Sequence, residues 1–163
     1  MQIEEVFLLQ LGLSLLVTAF VASTKLSPVL ARLGWRDVVF WLALPHAFRH
    51  LGLVFVVPGV VSPDLPAEFA NEAAYGDLSA GVLGMATITA AYFRSRVMVP
   101  LAWALTIVGS VDLANALQQA HAIPYLHSAW YIPTFIVPVL LVTHAMMLTR
   151  LSGLVPRGGR AQA

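Results

Sequence analysis

The sequence contains no cysteine. Structural disulfides, Cys-ligated iron–sulfur clusters, thiolate zinc sites and covalently attached c-type haem are therefore excluded. Charge is scarce as well. Only 10% of the residues are Asp, Glu, Lys or Arg, against 59% hydrophobic, and the mean hydropathy is +0.81. A soluble domain carries about 25% charged residues, so the deficit argues for an integral membrane protein with the lipid bilayer as its first partner. No Walker loop, HExxH, GxSxG or dinucleotide fingerprint occurs. An enzyme is accordingly the less favoured class. A net charge of +1 by itself says nothing about partners, because the distribution of charge matters far more here, and no nucleic-acid partner is expected. The opening MQIEEV is acidic and lacks the basic leader of a secretory signal, so Val6 onward is expected to be a retained first helix.

What is present is a series of long apolar runs. They cover about 6–23, 37–60, 78–93, 97–119 and 129–149, and predict an all-α, polytopic five-transmembrane-helix bundle. Residues 1–150 form one domain in this reading, and 151–163 a disordered tail. Within the tail, Leu154 to Gly158 resembles a protease-site remnant of an expression tag and receives no functional weight. The polar stretch Ser62–Asp77 is the one substantial loop, expected to cap the bundle.

Charge placement sets the orientation. If every run crosses, Lys25, Arg32, Arg36, Arg94, Arg96, Arg150, Arg157 and Arg160 share one side, which accounts for all but one of the 9 basic residues. Glu4, Glu5, Asp64, Glu68, Glu72 and Asp77 share the other. The positive-inside rule then puts the N-terminus outside and the C-terminus in the cytoplasm, in a bacterial cytoplasmic (inner) membrane. Tyr125, Trp130 and Tyr131 fit an outer aromatic belt.

Two charges belong to neither surface: Arg49 in the second run and Asp112 in the fourth. Each alone in hydrocarbon costs a few kcal/mol or more, which predicts that they pair. Helical spacing adds His46 and His50 to the face of Arg49, and Asn115 and Gln119 to the face of Asp112, with His144 supplied by the fifth run. The candidate ligand-binding set is therefore His46, Arg49, His50, Asp112, Asn115, Gln119 and His144. Seven polar groups exceed what helix association requires, since hydrogen bonds inside membranes contribute only about 0.6 kcal/mol each.

Three chemistries suit such a set. In the preferred one, Arg49 holds an anionic or carbonyl group and a histidine or Asp112 exchanges a proton, giving binding, and by extension translocation, of a small ligand or proton. In the second, a metal ion or haem b uses His46, His50 and His144. His46 and His50 leave one helix face, so bis-histidine haem ligation would pair one of them with His144. The third is acid–base catalysis on a lipid-phase substrate. A purely structural membrane subunit is the remaining alternative. Its interface would be the small-residue stripe Ala80, Gly84, Thr87 and Ala91 on the third helix, which is also the expected surface for a homo-oligomer.

The outline of five helices in about 160 residues with the N-terminus outside is similar to the tryptophan-rich sensory protein (translocator) family. With 4 tryptophans and none of that family's Trp/Pro/Asn-rich helix signatures, the likeness covers the outline alone and carries over no residue. Five-helix haem subunits of respiratory enzymes share the span count, and only part of their histidine pattern occurs here.

Overall fold

In the computed structural model, which describes residues 1–153, the chain forms five helical rods and no β-strand among the described residues. They are α1 (Ile3–Leu30), α2 (Trp35–Val56), α3 (Ala67–Tyr92), α4 (Met98–Gln118) and α5 (His127–Ser152). Of these, α1, α2, α4 and α5 are long and apolar enough to cross a membrane. At 26 residues α3 has the length, roughly 39 Å at 1.5 Å per residue, but its Glu68, Glu72 and Asp77 and its Gly, Ser and Thr residues lower its hydropathy.

Two expectations need correction here. The third helix begins at Ala67 rather than 78, so most of the expected Ser62–Asp77 cap is helix, and the true connection is the short stretch 57–66. Pro66 supplies the helix start with a preset φ, and the acidic Glu68 in the first turn suits the helix dipole. At the other end, α5 runs to Ser152 with Leu151 fully buried, so the domain does not stop at 150. The remainder of the expected disordered tail lies outside the described residues.

The helices alternate in direction because their connections are short. At one end the 57–66 connection meets the α4–α5 connection through Ser62 N–H to the Tyr125 carbonyl (2.9 Å) and Ser128 N–H to the Val60 carbonyl (3.1 Å). Phe7 and Trp130 stack edge-to-face at that same end, with Trp130 Nε1 donating to Gln10 (2.6 Å). At the opposite end Arg36 donates to the Ser95 carbonyl (3.4 Å). Glu4, Glu5, Asp64, Glu68 and Glu72 thus gather at the first end, and Lys25, Arg32, Arg36, Arg94, Arg96 and Arg150 at the second.

The central rod is α3, packed against α2 and α4. Its small-residue stripe is spent within the chain: Ala80, Gly84, Thr87 and Ala91 are all buried. A Cβ on Gly84 would come within 2.7 Å of Ala47 N, so α2 and α3 touch backbone to backbone. The surface expected to hold a second copy is therefore covered by α2. Apolar side chains fill both ends of the bundle. Leu30, Val39, Leu42, Met98, Leu105 and Met147 pack at the basic end, and Phe7, Phe55, Phe69, Ile123 and Leu126 at the acidic end.

Three prolines and one arginine mark departures from regular winding. A proline ring crowds the carbonyl four residues back and removes a donor. Ahead of Pro28 and Pro138 the backbone widens into π turns at Ala22–Leu26 and Ile132–Ile136, which relieves that crowding. Beyond Pro45, α2 changes to a 3-10 helix over Phe48–Val56. Helix α3 ends with Ser95 N–H to the Ala90 carbonyl and Arg94 N–H to the Ala91 carbonyl, a Schellman arrangement with Arg94 at φ 55° where glycine is the usual residue.

Candidate functional site

The tight winding of the second half of α2 decides which side chains enter the bundle. A 3-10 helix has three residues per turn, so residues three apart eclipse. Arg49, Gly52 and Phe55 are the buried positions of this segment, and His46 lies one step earlier on the same line. An α-helical continuation would have kept His50 beside Arg49. Instead His50 is only half-buried, and its Nδ1 donates to the carbonyl of Ala47 (2.9 Å). His50 therefore stands outside the cluster it was expected to join.

Arg49 and Asp112 do pair: Arg49 Nη2 donates to Asp112 Oδ2. The arginine also reaches a carboxylate that charge placement along the sequence assigns to the outer surface. Its Nε donates to Asp77 Oδ1 at 2.7 Å, while Nη1 donates to the Gly109 carbonyl at 3.2 Å. Every nitrogen of the guanidinium is thus engaged, from α3 on one side and α4 on the other. Asp77 was missed because it follows an acidic segment and looks like its last residue. The available signal was length: with Pro66 starting the helix, Asp77 falls about 15 Å into α3, near its middle.

Glycines make room for these charges. Gly52 lies three residues after Arg49, Gly76 just before Asp77, and Gly109 three residues before Asp112. A Cβ on Gly52 would overlap the Asp77 carboxylate, and one on Gly76 would overlap Asp112 Oδ1. At Gly109 it would meet His144 Nε2 at 2.6 Å and Arg49 Nη1 at 2.9 Å. Where the backbone must approach a side chain this closely, glycine is the residue that fits.

The other expected members separate into two groups. His46 and His144 lie beside the triad with ring centroids 4.0 Å apart. Thr143 gives its hydroxyl hydrogen to the backbone (Val139 and Leu140 carbonyls), so His46 Nε2 donates to Thr143 Oγ1 at 3.0 Å. His46 Nδ1 and both nitrogens of His144 are buried without a hydrogen-bond partner. Asn115 and Gln119 do not reach Arg49. Both donate to Glu72 Oε2, at 3.0 and 2.9 Å, nearer the acidic end.

The same geometry tests the haem and metal reading. Iron held between two imidazoles, with metal–nitrogen bonds of about 2 Å on each side, needs ring centroids roughly 6 Å apart. At 4.0 Å the His46 and His144 rings touch each other and leave no such gap. Among the described residues no three His, Asp or Glu side chains converge as a metal centre requires.

Above the triad, toward the acidic end, lies a cavity of about 60 Å³ as measured by the centres of water-sized molecules. Its walls are mostly apolar, with Phe7, Phe55 and Phe69 prominent, and Gln119 also lines it. Asp77 and Asp112 both line it, whereas Arg49 does not. The arginine side chain is 0% exposed, against 12% for Asp77 and 17% for Asp112. At this cavity the guanidinium sits behind the carboxylates, so the open space meets the acids rather than Arg49.

No curated protein and no solved structure matches the chain. A family model described as Domain of unknown function (DUF8737) matches residues 6–152, from the first helix to the last. With nearly its whole length matched, the chain belongs to that family.

Proposed function

We propose that the protein is an integral membrane protein whose five helices all cross the bilayer, with the N-terminus outside and the C-terminus in the cytoplasm. Its function in this reading is to bind a small ligand or proton at the Arg49–Asp77–Asp112 site, and by extension to carry it across. The crossing of α3 is supported by its place between α2 and α4 and by Val82, Met85, Tyr92 and Phe93, which turn outward as large apolar or aromatic groups. The separation of acids and bases to opposite ends supports the orientation.

One observation carries the binding role. A single enclosed arginine faces two carboxylates from different helices, deep inside the bundle, with the carboxylates open to a cavity. With both acids ionised the triad carries one net negative charge. In a medium that solvates charge poorly, one further positive charge, a proton or a small cation, completes it. A structural ion pair needs neither the second acid nor the cavity. Gly52, Gly76 and Gly109 around the triad, and the 3-10 winding that presents Arg49, are features from which a rearrangement during transfer can start.

Infrared difference spectroscopy of the purified protein across pH tests this. A protonated-carboxyl stretch should appear as pH falls and be lost in Asp112→Asn or Asp77→Asn. In proteoliposomes carrying a pH dye and an imposed potential, proton uptake should exceed that of empty vesicles and fall in the same variants. A spectrum with no carboxyl band dependent on Asp77 or Asp112, together with uptake equal to empty vesicles, would leave the triad as helix pairing alone.

A further inference from the structure

The two sides of the triad differ in sign, and that difference selects the ligand. The cavity lies on the acidic-end side of the triad, and its lining joins three phenylalanines to the carboxylates of Asp77 and Asp112. No basic side chain is in that lining, because Arg49 lies behind Asp77 and Asp112, hidden from the cavity. An anion would be repelled by the two carboxylates. A bare inorganic cation would lose its hydration among mostly aromatic and aliphatic walls, whose side chains offer only the Gln119 amide oxygen besides the acids. An organic ammonium has the matching surfaces: a charged head for the carboxylates and a weakly hydrated body for the walls. Aromatic faces attract such cations further.

We propose that this cavity is a binding site for a small organic ammonium, its nitrogen directed at Asp77 and Asp112 and its hydrocarbon against Phe7, Phe55 and Phe69. This rests on the binding role proposed above and names the ligand class for it. The cavity volume of about 60 Å³ suits a small amine with a short hydrocarbon chain.

Calorimetric titration of the full-length protein in detergent tests it with n-butylammonium, n-butanol and butyrate, three probes of one size and different charge. Butylammonium should bind at least tenfold more tightly than the other two. Asp112→Asn should weaken it at least tenfold. So should Ala116→Leu, which fills the cavity and leaves both carboxylates in place; Ala73→Val serves if that variant melts early. Equal binding of all three probes, or cavity-filled protein that binds butylammonium as well as wild type, would overturn the assignment. The infrared titration run on the same samples separates the two levels of the reading. A carboxyl band dependent on Asp112 without selective amine binding removes the ammonium and keeps the proton site. Loss of both removes the site itself.

Discussion

Arg49 is the residue on which the interior depends, since it holds three backbone or side-chain acceptors contributed by α3 and α4. Removing one partner of a buried pair costs about 3–5 kcal/mol, mostly because the remaining charges lose their compensation. Arg49→Ala should therefore lower the melting temperature sharply. The triple variant Arg49→Ala, Asp77→Asn, Asp112→Asn should recover much of the loss, because no charge is then stranded. Thermal melts of the single and triple variants check this, and a triple variant no more stable than the single would contradict it. His144 gives the opposite sign. Both its ring nitrogens are buried without partners, and an unsatisfied buried polar group costs about 1–3 kcal/mol. His144→Leu should leave stability unchanged or raise it by about 1 kcal/mol, measured by the same melts.

At the level of single elements, α2 and α3 set the geometry together. Gly84 lets their backbones touch, so Gly84→Ala forces a shift of main chain against main chain. Overpacking of that kind costs typically about 1–3 kcal/mol. The variant should melt earlier and, through the displaced Arg49, also weaken whatever the triad binds. The end of α3 offers a stabilising change. Arg94 occupies a left-handed conformation at φ 55°, which costs a non-glycine residue about 1–2 kcal/mol. Arg94→Gly should raise stability by about 1 kcal/mol in chemical or thermal denaturation, with ligand binding unaltered because the turn lies at the far end of the bundle from the cavity.

For the molecule as a whole, the arrangement of charge fits the bilayer placement proposed above. Large apolar side chains such as Leu8, Leu16, Phe20, Phe48, Ile107, Val111 and Phe135 face outward, while Arg49, His46 and His144 are buried. The absence of cysteine makes the orientation directly measurable. Single cysteines in place of Glu4, Asp64 or His127 should react with an impermeant maleimide added outside intact cells. Cysteines in place of Arg32, Arg94 or Arg150 should react only after the membrane is opened. Label at Asp64 and Arg94 from the same side would mean that α3 does not cross, and that the acidic and basic ends do not flank a bilayer.

Some of this molecule can be read without coordinates. Hydropathy and length locate the four long apolar helices, because apolar runs of that length are what a helical membrane span requires. The same reasoning pairs Arg49 with Asp112, since two stranded charges have few other outcomes. Tertiary structure decided the rest. Asp77 joined the pair because α3 begins eleven residues earlier than its hydropathy suggests, and charged residues near a helix end mask the helical period. His50 left the cluster because 3-10 winding replaced a period of 3.6 by one of 3, a choice made after Pro45 and by packing against α3. Asn115 and Gln119 share a helix face with Asp112, yet their partner is Glu72, which only the approach of α3 supplies. The sign of the cavity was decided last, by which side of one salt bridge the open space happens to adjoin. Spacing along a chain cannot determine that, because it depends on how three separate helices meet around an arginine.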